Sequence, residues 1–126
     1  MNHLNVNHTS YTDDELYTLM YEESYNDTYV AYIRGDYCKN KELFLHDIAV
    51  ALRFPFYFGN NWDALDECLC DLEWLHFRKI MIVIENFTCF LLDNPIDKDI
   101  CIECMNEAAE YWLKRDIPFV VLLNNR

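Results

Sequence analysis

Lys79-Ile-Met-Ile-Val-Ile-Glu85 is the stretch that decides the fold. An unbroken apolar run with no polar alternation cannot leave one face in water, so it reads as a strand buried on both sides, as in a parallel sheet covered by helices. A second such run, Pro118-Phe-Val-Val-Leu-Leu123, lies downstream. Upstream, Thr28-Tyr-Val-Ala-Tyr-Ile-Arg34 is rich in β-branched and aromatic residues, and Gly35-Asp36 then supplies a turn.

Helical patterns lie between these strands. From about Lys41 to Leu52, the residues Leu43, Phe44, Ile48, Ala49 and Leu52 fall at helical spacing, and Phe54-Pro55 ends the run because the residue before proline avoids the α region. Asn61 is a natural N-cap for the next helix. There Ala64, Leu65, Cys68, Leu69 and Leu72 share one side, and Asp63, Asp66, Glu67, Cys70 and Asp71 share the other. Between these helices, Pro55–Asn61 is an aromatic loop in which Gly59 is the residue expected to take positive φ. Asn86–Leu92 reads as the start of a short helix, and about Asp99 to Lys114 as a long one. The alternation predicts a small α/β domain over residues 29–126: a three-stranded parallel sheet with right-handed crossovers, packed with about four helices.

Residues 1–28 read as an acidic N-terminal extension, docked or partly frayed. Thr12-Asp13-Asp14-Glu15 has the form of a capping box, and Leu16, Leu19, Met20 and Tyr21 would line one face of a short helix.

The chain has 126 residues, enough for one compact domain, and its formal net charge is −12. That charge is local: residues 1–33 and 54–77 carry acids and no Lys or Arg, while the rest is nearly balanced. Such faces repel phosphate backbones, so nucleic acid is excluded as a partner and a basic protein is expected. No apolar run approaches the roughly 20 residues of a membrane span. The first ten residues lack the basic start and apolar core of a secretory leader, so a cytoplasmic location is expected, with the six cysteines as reduced thiols. Cys68-x-Cys70 and Cys101-x-x-Cys104 fall in helical patterns without the turns of a structural zinc site. Neither a metal nor a cofactor is expected.

Signatures of catalysis are missing. No Gly-rich phosphate loop is present, no His-Glu-x-x-His motif occurs, and none of the four histidines stands in a nucleophile arrangement. Asp63 and Glu67, four residues apart, face the same way on an exposed stripe, where a solvated helix face is the plain reading. Large aromatics beside that stripe, Tyr57, Phe58 and Trp62, favour a protein interface instead, because aromatics flanked by charge are its usual anchors.

Pro55-Phe-Tyr-Phe-Gly-Asn-Asn-Trp-Asp-Ala-Leu-Asp-Glu-Cys-Leu69 resembles the central motif of the barstar family. The resemblance runs back through Ile33-Arg34-Gly35 and, more loosely, onward through Glu85 and Asn106-Glu107-Ala108, covering about residues 29–126. It implies an intracellular inhibitor, monomeric when free, that plugs the active site of a secreted barnase-type ribonuclease with carboxylates in place of phosphates. Carried over by position, the contact residues are Tyr57, Asp63, Glu67 and Glu107, with Trp62 and the capping Asn61 in support and Asp66 and Asp71 as auxiliary acids. Two positions depart from the family pattern: Asp66 stands where Trp is frequent, and Glu67 replaces Asp. An immunity or regulatory module that neutralises a different basic toxin or protein is the alternative.

Overall fold

In the computed structural model, which describes residues 5–125, the elements follow the order β1 (Val6–Thr9), α1 (Asp13–Ser24), β2 (Thr28–Arg34), α2 (Lys41–Ala51), α3 (Trp62–Leu69), β3 (Lys79–Glu85), α4 (Pro95–Leu113) and β4 (Phe119–Asn124). The strands form one parallel sheet in the order β1-β4-β3-β2. β3 is flanked on both sides, which is why its interior, Ile80–Ile84, is uniformly apolar. Ile80, Ile82 and Ile84 join Phe44, Leu65, Met105 and Trp112 in the core under α2, α3 and α4. Met81 and Val83 point the other way and pack with Leu16 of α1 and Leu122 of β4.

The sequence predicts three strands; the sheet has four. The added strand, β1, pairs with β4 from Val6↔Val121 to Thr9↔Asn124. Asn7 and His8 at its centre add little strand propensity. Its hold is tertiary: fully buried Asn124 accepts from Thr9 Oγ1 (2.8 Å) and Tyr11 N (2.8 Å), and donates to Tyr11 O (3.1 Å) and Glu85 Oε1 (2.9 Å). Every donor and acceptor of that amide is occupied. The expected capping box is present: Glu15 N donates to Thr12 Oγ1 and Thr12 N to Glu15 Oε1.

Three further expectations shift. α4 starts at Pro95 instead of near Asp99, because Asn94 caps the backbone of Ile96 and Asp97 and proline at the first turn has no N–H to satisfy. The helix expected from Asn86 is a single 3-10 turn, Phe87–Cys89. No glycine has positive φ; in the aromatic loop Asn60 takes that role at 54°. With so few glycines, left-handed Arg53 (56°), Leu72 (51°) and Asp116 (60°) follow the ends of α2, α3 and α4. At Leu72 that conformation costs roughly 1–2 kcal/mol, offset by complete burial of the side chain.

Gly35 is required for a different reason. A Cβ there would meet the carbonyls of Glu85 and Asn86, the latter at 2.8 Å, so β2 can approach the end of β3 only without a side chain. All six cysteines are free thiols, four of them buried.

Candidate functional site

The aromatic loop leaves α2 through two backbone bonds, Phe54 N to Ala49 O (2.8 Å) and Arg53 N to Val50 O (3.2 Å). Trp74 Nε1 ties down the same end by donating to Leu52 O (2.9 Å). Phe54 packs edge-on against Phe58 and Trp74, so these rings face inward. Phe56 and Tyr57 are left outside, Phe56 wholly exposed and Tyr57 largely so. Asn61 then starts α3: its Oδ1 accepts from Ala64 N (2.7 Å) and its Nδ2 donates to Gly59 O (3.3 Å), fixing the loop to the helix.

This arrangement brings five of the sequence-derived residues together. Tyr57, Asn61, Asp63, Glu67 and Asp71 line one cleft of about 600 Å³, with Phe58, Gly59, Ala64 and Cys68 completing the wall. Among the described residues, none of the three carboxylates engages in an ion pair. Their field reaches inward: burial first, then Asp71 and Glu67, push the Cys68 thiol above its ordinary value.

The other three sequence-derived residues lie outside that cleft. Trp62 is half-buried, its ring 6.0 Å from Phe44 and its Nε1 donating to Asp97 Oδ1 (3.4 Å), so it clamps the start of α3 onto the first turn of α4. Asp66 turns toward α4, where its Oδ1 is buried without a hydrogen-bond donor. Glu107 of α4 stands against it: a side-chain hydrogen bond with Asp66 is the chief cause of the raised Glu107 pKa, followed by burial and by the charges of Asp66, Glu103 and Glu110. Two ionised carboxylates have no proton to share, so the donor that Asp66 lacks is supplied only when Glu107 is protonated. The pair makes the α3–α4 seam strongly negative. Burial, then Asp66 and Glu107, raise Cys70 to about 11 against an opposing pull from Arg115; burial, then the same pair with Glu103 and Asp63, raise Cys104 to about 12.

Sequence reasoning passed over Phe56 and the α4 acids Glu103 and Glu110, all exposed beside these groups. The signal for Phe56 was Pro55: a turn closed by Phe58 N to Pro55 O (3.0 Å) puts Phe56 and Tyr57 at its outward central positions.

A parallel α/β domain that carries exposed carboxylates beside an exposed tyrosine in one cleft has the surface of a small protein-binding domain. The family described as Barstar (barnase inhibitor) matches residues 28–124, and the chain belongs to that family. Comparison with curated proteins gave no match.

Proposed function

We propose that this chain is an inhibitor of a barnase-type ribonuclease, acting inside the cell by seating the Tyr57–Asp71 cleft over the enzyme's basic active site. The single observation that carries this reading is the row Asp63, Glu67 and Asp71 beside Tyr57, with no cation of its own among the described residues. Ribonuclease active sites grip a phosphodiester with cationic donors, and carboxylates held at helical spacing accept the same charge-assisted bonds. Membership of the barstar family supports a protein partner and a role other than catalysis.

A purified barnase-type ribonuclease titrated with the chain tests this. Stoichiometric loss of RNA cleavage, restored by Asp63→Ala, is the expected result; undiminished cleavage at a large excess of inhibitor refutes the reading.

Asp66 supports a second reading, on the same fold, of an immunity or regulatory module against another basic toxin. Where an aromatic is frequent in the family, Asp66 presents a carboxylate paired with Glu107, and an unpaired or like-charge contact is the kind of feature that rejects one partner and admits another. Recovery of a basic protein unrelated to ribonucleases, with its capture lost in Asp63→Ala, separates this reading from the first.

A further inference from the structure

On the sheet face opposite α3, a cleft of about 690 Å³ opens between the start of α1 and the carboxyl ends of β2 and β3. Strand carboxyl ends are where parallel α/β sheets receive ligands. Leu16, Tyr17 and Met20 of α1 and Tyr32 of β2 give the cleft an apolar and aromatic wall. Asp13 and Asp14 stand exposed at its rim, and Glu85 lies at its buried end.

Glu85 is the group that points to a ligand. It is only 6 % exposed. Its Oε1 accepts from Asn124 Nδ2 (2.9 Å) and from Asn86 N (3.3 Å), whereas Oε2 accepts nothing and no Lys or Arg pairs with the carboxylate among the described residues. Oε2 is not sealed from solvent but opens toward the cleft, where a cation can reach it. The neighbouring base does not help. Arg34 is the register partner of Glu85, but Asp36 holds its guanidinium through Nε (3.0 Å) and Nη2 (2.6 Å), and the Tyr37 ring lies 4.2 Å beneath it. Asn86 Nδ2 fixes Asp36 in turn (3.0 Å). The cleft's base is thus drawn aside while its acids stay free. The Tyr32 phenol senses the outcome: burial first, then Glu85, raise its pKa, with Arg34 opposing and Asp13 and Asp36 adding to the rise.

We propose that this cleft is a second binding site, for a primary alkylammonium, with the head on Glu85 Oε2 and the stem along Leu16 and Met20. A single free oxygen suits a compact ammonium, whereas a guanidinium fork needs two. Tyr17 and Tyr32 offer ring faces to the cation, and Asp13 and Asp14 hold its charge at the entrance. The site lies on the other side of the sheet from the nuclease-facing cleft and does not depend on it.

Calorimetric titration of the full chain with putrescine and with Nα-acetyl-lysine methylamide tests this without any nuclease. Both probes carry the same head; saturation by putrescine assigns the site to a free amine, and tighter binding of the lysine amide assigns it to a protein's lysine. Glu85→Gln keeps an oxygen for Asn124 but removes the charge, and it should weaken binding at least tenfold, as loss of a charged hydrogen bond implies. Asp14→Asn, at an exposed position in the first turn of α1, should weaken it a few-fold, with retention of the parent's fold checked by its melting curve. Tetramethylammonium, which has no N–H, should bind at least tenfold more weakly than putrescine. Absence of binding by both amines at millimolar concentration overturns the proposal, as does Asp14→Asn binding as tightly as the parent.

Discussion

Asn124→Ala probes how the N-terminal elements are held to the sheet. The side chain is fully buried and makes four hydrogen bonds, three to neutral partners in Thr9 and Tyr11 and one to the Glu85 carboxylate. Neutral bonds are worth about 1 kcal/mol each and a charged one about 1.5–3, and water entering near Tyr11 restores part of the loss, so a net cost of about 3–5 kcal/mol follows. In a domain of this size that corresponds to a melting point lower by about 10 °C or more. The loss should also be uneven. Amides of β1 should exchange fast in the variant, because β1 has one neighbouring strand and its tether is gone, while those of β3, held between two strands, should stay slowest. Chemical denaturation combined with hydrogen exchange reads both effects. A loss below 1 kcal/mol with β1 still protected would refute the reasoning.

Gly35→Ala should destabilise by about 1–3 kcal/mol, the usual cost of overpacking, because the new methyl meets the Glu85 and Asn86 carbonyls and not a flexible side chain; urea denaturation at unchanged m-value checks it. Glu107 has a folded pKa above its ordinary 4.5, so the native state binds its proton more tightly than the unfolded chain does. The sign is therefore a penalty fully present at neutral pH that is relieved as pH falls through the folded pKa toward 4.5. Glu107→Gln should be more stable than the parent at pH 7, with the difference shrinking in that window; an equal or lower melting point at pH 7 contradicts it. Asp66→Asn should stabilise for the same reason, since its amide gives the Glu107 carboxylate a donor.

The parts of the fold that burial alone dictates were legible in the sequence. Ile80–Ile84 is apolar throughout because it has a strand on each side and helices above and below, and Asn61 announced α3 because few residues cap so well. β1 was not legible, since Asn7 and His8 sit in an edge strand whose stability comes from Asn124, over a hundred residues away. The early start of α4 follows from Asn94-Pro95, a cap that precedes any apolar periodicity. At the candidate site, helical spacing placed Asp63 and Glu67 on one exposed face. It also placed Asp66 there, yet Asp66 lies about 100° round the helix from Glu67, and the packing of α3 against α4 turns it into the seam. Trp62 is drawn inward by Phe44 and Asp97, contacts that periodicity does not encode.

Whether Asp63, Glu67 and Asp71 meet a cationic ribonuclease surface is read by stopped-flow association with a barnase-type ribonuclease, parent against Asp63→Ala at low and high salt. Truncating one partner of a desolvated charge pair costs about 2–5 kcal/mol, or roughly thirtyfold to several thousandfold in affinity. That loss is expected, together with an association rate for the parent that falls steeply as salt is added. Association that ignores salt, with Asp63→Ala binding as tightly as the parent, would contradict it.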